Sequence, residues 1–260
     1  MSGMFGKVIV RSDLEAITGL RVGGSTGGLK IGGVDLNVIT DPWGRPYIPG
    51  SSIKGKTRSL LERFHSAPVT QNGIHMCKND QDYTTCPICR IWGLLGDAKK
   101  FTQPTLTRLL VGDVFLDESS VTEEMQKNME LRWTEVKMET AINRITGTAH
   151  TGSLRQIERV PAGARFSNAN FIFNVFEESD KDLLKQLFIA LELLENDYLG
   201  GMGSRGSGRV RFVDMEVYWN DRSAYETGRA EQEPARKING EWNTPSKLVQ
   251  HFDQIKDALK

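Results

Sequence analysis

A regular alternation of apolar and polar residues marks the first element of the chain. It runs from Lys7 to Thr18 with a period of two, which is typical of a strand with one buried face. The apolar positions on that face are Val8, Val10, Leu14 and Ala16. Three further strands are predicted at Thr107–Asp117, Phe171–Phe176 and Arg209–Trp219. In the last strand the apolar phase shifts, which predicts a bulge near Phe212.

Two segments show the spacing of amphipathic helices. The first follows Ser51 or Ser52, either of which can cap its amino terminus. Its apolar face is expected to consist of Ile53, Thr57, Leu60, Leu61 and Phe64. The second, Asp180 to Asn196, carries a broad leucine-rich stripe that ends before Gly200. A shorter helix is predicted after Thr244-Pro245, where a cap precedes a first-turn proline.

The order of these elements predicts the fold class. The segment Ala141–Ala164 is polar and too long for a turn, so we expect a protruding hairpin or an ordered loop there. The elements then read βαββαβ, an α+β, ferredoxin-like arrangement that RNA-recognition folds also use. We predict a core over residues 1–220, with a zinc-binding insertion at 66–105 and the hairpin at 134–166. Residues 221–260 would form a carboxy-terminal extension with a short helix.

Charge changes this picture only locally. Lysine plus arginine and aspartate plus glutamate both number 33, so the 260-residue chain has no overall attraction for a polyanion. From Arg45 to Arg63, however, five cations face the single carboxylate of Glu62, and Arg144 to Arg165 is also basic. A basic face is therefore compatible with a neutral total. The sequence shows no membrane segment or signal peptide, which predicts a cytoplasmic protein without membrane partners.

Glycine-rich segments beside these cations indicate a surface for a sugar-phosphate backbone. Glycine removes side-chain bulk and allows positive φ, so that backbone amides can face phosphates. The candidate residues are Gly32, Gly33, Gly50, Ser51, Ser52, Lys54, Lys56, Arg58, Gly200, Gly201, Gly203, Ser204, Arg205 and Gly206. The alternative is that the helix carries an ordinary solvated charged face and that the second segment only ends a helix.

A cysteine and histidine cluster is the strongest local motif. His75, Cys77, Cys86 and Cys89 fall within one short window and include every cysteine of the chain. Two thiolates of a Cys-x-x-Cys pair can bind one tetrahedral zinc ion, and four ligands leave no position open for catalysis. We predict a structural Zn²⁺ site. Reduced thiols or a redox pair are the alternatives, and His65 competes for the place of the fourth ligand.

Gly50 to Thr57 also matches the phosphate-binding P-loop pattern G-x-x-x-x-G-K-T, with Leu109–Asp113 as a possible acidic partner strand. A P-loop follows a buried parallel strand, but Pro46 and Pro49 precede this match. An ATP-binding enzyme is therefore the weaker alternative.

Asp35 is an isolated carboxylate in a loop, and on spacing alone it reads as a turn or cap residue. Its neighbours place it in a larger pattern. Gly32 to Asp35, Ile48 to Arg58 and Asp197 to Gly206 together resemble the repeated backbone subunit of type III CRISPR effector complexes, of the Csm type, in the RAMP superfamily. Thr134–Lys137 and Gln156–Arg159 fit the same pattern, so the resemblance spans about Lys7 to Trp219.

The resemblance implies an RNA-guided endoribonuclease. Copies of the subunit would form a helical filament on the guide crRNA beside other effector subunits, and the hairpin would act as a thumb between guide and target RNA. Asp35 would promote cleavage that depends on a divalent cation such as Mg²⁺, through attack of the ribose 2′-hydroxyl on its own phosphate. Lys54 and Arg58 would bind guide phosphates, and Arg144, Arg155 and Arg159 would contact RNA from the thumb.

Related subunits of subtype III-D complexes and inactive paralogues share these motifs. A guide-binding subunit without activity is therefore the main alternative function.

Overall fold

An antiparallel sheet flanked by helices forms the core of the protein. The computed structural model describes residues 3–23, 34–94, 100–102, 104–232 and 236–260. Its strands are β1 (Gly6–Ala16), β2 (Tyr47–Ile48), β3 (Leu109–Val111), β4 (Val114–Leu116), β5 (Glu135–Glu139), β6 (Arg155–Arg159), β7 (Arg165–Val175), β8 (Val210–Asp221) and β9 (Arg236–Lys237). Its helices are α1 (Gly50–Phe64), α2 (Asp80–Thr85), α3 (Pro87–Trp92), α4 (Glu123–Lys127), α5 (Asp180–Glu195), α6 (Arg222–Glu226), α7 (Arg229–Gln232), α8 (Pro245–Gln250) and α9 (Phe252–Asp257). The predicted α+β class is confirmed.

The alternating segment at the amino-terminal end lies in the middle of the main sheet. The strand order is β2-β4-β7-β1-β8-β9, and β3 pairs separately with β7. β1 is antiparallel to both of its neighbours, β7 and β8. The predicted inward positions of β1, Val8, Val10, Leu14 and Ala16, are all fully buried. The alternation therefore identified both the strand and its core face.

The strand predicted at Thr107–Asp117 is wrong as a single element. It is divided into β3 and β4, because the strand is interrupted at Gly112 and Asp113. The carboxylate of Asp113 turns toward the start of α1, where its Oδ1 accepts a hydrogen bond from the Gly50 amide at 2.7 Å. The other two predicted strands are confirmed as β7 and β8, and both are longer than predicted.

A bulge does occur in β8, but it lies beyond Phe212. The register against β1 shifts between Arg11/Glu216 and Asp13/Val213, so the extra residue is at Asp214, whose φ is 55°. A matching shift in β7 falls at Asn168, with φ 62°. Both irregularities flank Asp13, whose Oδ1 accepts a hydrogen bond from the Asn168 amide at 3.0 Å.

The two long helices bury their apolar faces in one core. In α5 the predicted stripe is confirmed, with Leu184, Leu187, Phe188, Leu191 and Leu194 fully buried. In α1 the buried positions are Ile53, Thr57, Leu60 and Leu61. The prediction that Phe64 lies on the same buried face is wrong, because 56% of its surface is exposed where the helix ends.

A buried ionic network joins the inserted segment to the core. The carboxylate of Asp180, fully buried at the start of α5, accepts hydrogen bonds from Arg90 Nη2 at 2.7 Å and from Arg108 Nε at 3.0 Å. Its other oxygen accepts the Phe176 amide at 2.9 Å. Buried charges require such pairing, so this network fixes α3 against α5.

The predicted hairpin is confirmed as a separate two-stranded sheet. β5 and β6 pair from Glu135/Arg159 to Glu139/Arg155, so its paired strands begin earlier than Ala141. The loop beyond them carries a further bridge between Ile142 and Ala149. Ile145 at the tip is 95% exposed, which shows that the hairpin projects from the body of the protein.

The carboxy-terminal segment packs on the same core. β9 extends the sheet at β8, and the apolar residues Leu248, Phe252, Ile255 and Leu259 are buried. The single helix predicted there is two short ones, α8 and α9, and Thr244 caps α8 as predicted. The division of the chain at residue 220 stays a prediction.

Candidate nucleic-acid interface and metal centre

Asp35 lies beside strand β6 of the hairpin and has an exposed side chain. Its Oδ2 accepts a hydrogen bond from the Gln156 amide in β6 at 2.9 Å. Oδ1 accepts no hydrogen bond from the part of the chain that the structure describes. One oxygen is thus fixed and the other is open, so the carboxylate can meet a ligand without losing its support. The neighbouring candidates Gly32 and Gly33 lie outside the described residues.

The residues after Asp35 are held to the hairpin on one side. Leu36 forms a parallel bridge with Ile157, and its carbonyl accepts the Glu158 amide at 3.0 Å. The Val38 amide donates to Glu158 Oε2 at 2.9 Å, while the Thr134 hydroxyl donates to Oε1 at 2.7 Å. Glu158 therefore joins both strands of the hairpin to the segment that carries Asp35.

The glycine-rich segment after α5 forms a wall beside residues 19–23. The Gly201 amide donates to the Arg21 carbonyl at 2.9 Å, and the Gly208 amide donates to the Gly19 carbonyl at 3.0 Å. Ile39, from the Asp35 segment, donates to the Val22 carbonyl at 2.9 Å. The structure thus brings the glycine-rich wall and the Asp35 segment to the same short stretch of chain. Gly203 and Ser204 lie in a 3₁₀ turn, Gly203–Arg205, within this wall.

We expect the substitution Gly200→Ala to be far more damaging than Gly206→Ala. Both glycines have left-handed backbones, with φ of 76° and 83°. A Cβ on Gly206 would meet nothing within 4 Å, so its cost is the left-handed strain of about 1–2 kcal/mol. A Cβ on Gly200 would lie 2.1 Å from the Arg21 carbonyl oxygen, which adds about 1–3 kcal/mol of overpacking. Urea unfolding of both variants measures the difference, and equal losses would contradict this account of the wall.

Helix α1 begins at Gly50, so the prediction that Ser51 or Ser52 caps it is wrong. Pro49 occupies the N-cap position, and the helix has no side-chain cap from a serine. The acceptor is instead the Asp113 carboxylate, which binds the Gly50 amide. A Cβ on Gly50 would lie 2.3 Å from the Val111 carbonyl oxygen, so glycine is required for this approach. The exposed Ser51 leaves part of the helix end open to solvent.

The P-loop interpretation is wrong, because the whole matched segment is helical from Gly50 onward. Lys56 Nζ lies 3.2 Å from Asp197 Oδ1 and 3.6 Å above the Tyr198 ring. The Thr57 hydroxyl is buried and donates to the Ile53 carbonyl at 2.8 Å. No loop remains to surround a nucleotide phosphate.

Lys54 and Arg58 both turn toward the protein and hydrogen-bond to it. Lys54 Nζ donates to the Leu109 carbonyl at 2.8 Å, and burial together with the charge of Arg58 lowers the pKa of Lys54. Arg58 donates from Nε, Nη1 and Nη2 to Glu62, Gly93 and His75, each at 2.8 Å. The Lys54 ammonium keeps further donors free, whereas the Arg58 side chain is only 11% exposed and each of its three nitrogens already donates to a protein acceptor.

The predicted arginines of the hairpin fall into two groups. The side chains of Arg144 and Arg155 are exposed and form no hydrogen bond or ion pair within the described ranges. Arg159 pairs with Glu135 at 2.5 Å and covers Gly19, whose Cβ would lie 2.4 Å from Arg159 Nε. Arg205 pairs with Glu139 at 3.0 Å and so connects the glycine-rich wall to β5. Arg144 and Arg155 are therefore the freer of these cations.

Arg21 is a candidate that the sequence interpretation missed. Its Nε is buried without a hydrogen-bond partner among the described residues. Its Nη1 would lie 3.0 Å from a Cβ on Gly201, and its Nη2 3.2 Å from one on Gly23, so the guanidinium lies along the glycines. Burial lowers the pKa of Arg21, and the charge of Glu158 opposes this effect. An arginine directly before Val22-Gly23-Gly24 was the available sequence signal.

The four predicted metal ligands come together in the inserted segment. One ligand atom from each of His75, Cys77, Cys86 and Cys89 lies within 4.8 Å of all the others. His75 Nδ1 is 2.8 Å from the Pro68 carbonyl oxygen, which directs Nε2 toward the thiols, 3.2 Å from Cys86 Sγ. A second hydrogen bond that orients a histidine is typical of metal ligands. The cluster can therefore hold a metal ion.

The thiols are electrostatically unequal. Hydrogen bonds from the Cys89 thiol and amide, together with one from His75, lower the pKa of Cys86 to about 4 despite its burial. Burial raises the pKa of Cys77 to about 12, and the Cys86 thiolate with burial raises that of Cys89. One thiolate in the cluster attracts a cation, which in turn favours deprotonation of the other two. His65 lies apart, with Nε2 2.7 Å from Gln186 Oε1.

Comparison with known proteins identifies the family. The model of the RAMP superfamily matches residues 13–211, most of the chain. The chain belongs to the RAMP superfamily. Within this superfamily it is 38% identical over 250 residues to the CRISPR system Cms endoribonuclease Csm3 of Methanocaldococcus jannaschii. The alignment covers 96% of this chain and 94% of that relative. It is 39% identical over 214 residues to the protein of the same name from Enterococcus italicus, with 81% and 91% covered.

A solved structure of a RAMP protein shares the fold. In the crystal structure of the Csm3–Csm4 subcomplex of a type III-A CRISPR-Cas interference complex, one chain aligns with a TM-score of 0.58 and 29% identity. The alignment covers 96% of this chain and 97% of that one. The resemblance to Csm-type RAMP subunits is therefore confirmed. In the described portion, none of the helices is both long and apolar enough to cross a membrane.

Proposed function

We propose that the protein is a repeated backbone subunit of a type III CRISPR ribonucleoprotein, where it binds guide crRNA and cleaves complementary target RNA. The observation that carries this proposal is the position of Asp35. In a chain whose relatives are named endoribonucleases, this exposed carboxylate is fixed to strand β6 of the hairpin by the Gln156 amide.

A single carboxylate is sufficient for this chemistry because the RNA supplies the nucleophile. The ribose 2′-hydroxyl loses its proton and attacks the adjacent phosphorus, the bond to the 5′-oxygen breaks, and a 2′,3′-cyclic phosphate remains. Asp35 Oδ1, open beside the hydrogen-bonded Oδ2, can accept that proton or hold a divalent cation such as Mg²⁺. Such a cation, when bound, would shield the charge of the phosphate.

The hairpin supports the required geometry. Its exposed tip at Ile145 and its exposed Arg144 and Arg155 suit insertion between a guide and a target strand. A splayed target nucleotide can align its 2′-oxygen with the leaving group, and such alignment supplies a large part of the rate.

The strand order supports a ferredoxin-like assignment of the core. β8-β1-β7 with β3 and β4 beyond β7 is the antiparallel order expected of a βαββαβ sheet. The inserted cluster segment then follows the first helix, and the hairpin separates the second and third core strands.

For guide binding we propose Lys54, Lys56, Ser51, Ser52 and the wall from Gly200 to Gly206, with Arg21 added. Gly32, Gly33 and Gly50 remain in the proposed set by resemblance. Arg58 is left out, because its donors are bound to protein acceptors. Arg159 and Arg205 would reach RNA only by leaving their partners Glu135 and Glu139.

The substitution Arg21→Ala should weaken guide RNA binding several-fold. If Arg21 neutralises one phosphate of a single strand, the slope of log K against log salt should fall by about 0.7. Filter binding at several salt concentrations measures this slope. Arg63→Ala, which removes an exposed cation on α1, is the matched control and should leave the slope unchanged. An unaltered slope for Arg21→Ala would remove it from the surface.

We also propose that the ion in the cluster is zinc. Three thiols and one imidazole form a closed set of soft and borderline ligands, which suits tetrahedral Zn²⁺ better than a hard cation. The ion would be structural and separate from the divalent cation used in cleavage.

The proposed partners are further copies of this chain, other effector subunits, crRNA and target RNA. The similar chain of known structure was solved together with Csm4, which supports assembly with other subunits.

A cleavage assay on the assembled complex tests the proposed function. RNA that copurifies from the native host should contain repeat-derived guides, and a labelled complementary RNA should be cut to products with 2′,3′-cyclic phosphate ends. Chelation of divalent cations should stop the reaction. Bound guide without cutting would favour the non-catalytic subunit, and absence of RNA would contradict both functions.

A further inference from the structure

Arg58 contacts both ends of the segment that carries the metal cluster. Its Nη2 donates to the carbonyl of His75, a cluster residue, and its Nη1 donates to the carbonyl of Gly93. Gly93 ends α3, and its own amide donates to the Cys89 carbonyl at 3.1 Å. One guanidinium therefore spans the first ligand residue and the helix that carries the last.

A second contact between α1 and α3 involves Trp92, the residue before Gly93. Trp92 Nε1 donates to the Thr57 hydroxyl at 3.1 Å, and both side chains are buried. Glu62, on the next turn of α1, accepts from Arg58 Nε and fixes the guanidinium from the helix side. The contact between α1 and the cluster segment is thus directional, because it depends on hydrogen bonds of fixed geometry.

The amino-terminal end of α1 carries the residues proposed to face RNA. Lys54 and Arg58 are separated by one helical turn, about 6 Å along the axis. A helix moves as a rigid unit over such a distance, so a shift at Arg58 also shifts Lys54 and Ser51. Lys54 is itself bonded to the Leu109 carbonyl, which limits the positions that its ammonium can adopt.

The cluster segment packs in two parts. Cys77, Tyr83 and Cys89 form a small cluster separate from the main core, whereas the apolar side chains of α3 belong to the main core. Because a structural metal supplies folding free energy to such segments, loss of the ion would release the carbonyl of His75, while α3 stays held by its core packing and its ionic network. The buried guanidinium would then lose one of its three acceptors, which is unfavourable unless α1 moves.

We infer that Arg58 is a positioning residue that couples the metal centre to α1, so that the bound ion holds the RNA-facing end of this helix in place. The inference rests on the proposed function for the role of α1. It replaces the expectation that Arg58 binds a guide phosphate.

Metal release and hydrogen exchange on the full-length, metal-loaded protein test the coupling without RNA. Arg58→Ala should release the metal to a chelator about 10–100-fold faster, as expected when an outer-shell partner is lost. Removal of the metal from the unsubstituted protein should reduce amide protection in α1 and leave α5 protected. Arg63→Ala should change neither readout. An unchanged release rate, or equal loss of protection in α1 and α5, would overturn the inference.

A guide-binding measurement separates this role from direct phosphate binding. Metal removal and Arg58→Ala should each lower guide affinity several-fold, and the two together should lower it no further, because they act through one contact. The salt slope should stay constant. A slope reduced by about 0.7 with normal metal release would show that Arg58 is a phosphate ligand instead. If Arg58→Ala does not fold, Arg58→Lys serves, since a lysine cannot span both carbonyls.

Discussion

Asp35→Ala should reduce target RNA cleavage by the assembled complex by about 10²–10⁴-fold, the range expected when a group that moves a proton is removed. Assembly and target affinity should be retained, because the side chain is exposed and, among the described residues, accepts only the Gln156 amide. Single-turnover cleavage with saturating complex measures the chemical step, and native gel mobility reports assembly. Cleavage at the original rate would show that Asp35 is not the catalytic residue.

Asp35→Asn is the informative companion to this variant. The amide oxygen of asparagine can still accept the hydrogen bond from Gln156, so the local structure is kept while the negative charge is lost. We expect the same loss of cleavage as for alanine. If asparagine were active and alanine inactive, the side chain would support the loop and would have no chemical role.

His75→Ala should remove the metal and strongly destabilise the inserted segment. His75 supplies the only nitrogen of the four-ligand cluster, and its Nε2 faces the thiols. Structural zinc contributes about 10–16 kcal/mol of binding free energy in small zinc domains, so even partial loss should lower the melting temperature markedly. Elemental analysis should find about one equivalent of zinc in the unsubstituted protein and far less in the variant.

His65→Ala is the matched control. It removes the histidine that competed for the same role in the sequence, but His65 is exposed and contacts Gln186 outside the cluster. Its metal content should be unchanged. Retention of zinc in His75→Ala together with loss in His65→Ala would reverse the ligand assignment, and a metal-free, fully folded unsubstituted protein would refute the site.

The sequence predicted best those features that depend on local periodicity. β1 and α5 carry clear apolar patterns, and most of the predicted apolar positions are buried. The exceptions are Ser12, a polar residue buried in β1, and Leu183, which is only partly buried in α5. The grouping of the four candidate metal ligands is also confirmed, because all of them lie in one short segment that can bring them together. Joint motifs also gave the family, since several weak matches occurred in a fixed order.

Errors arose where a distant residue supplied the deciding contact. The start of α1 was misplaced because its cap is the carboxylate of Asp113, which is 63 residues away in sequence. The prediction that Arg58 binds RNA stays a prediction, but its contacts with His75 and Gly93 could not be foreseen, because helical spacing alone cannot show that the inserted segment folds back over that side of α1. Arg21 was overlooked because its significance depends on glycines from the other end of the chain.

The ladder between Asp35 and β6 has a consequence for where scission falls. Because Gln156 and Glu158 hydrogen-bond to the Asp35 segment, the Asp35 carboxylate has a fixed position relative to the hairpin. Each copy of the subunit would then cleave the target RNA at a constant distance from its own hairpin. The pattern of fragments would report the periodic placement of subunits, independent of the base sequence being read.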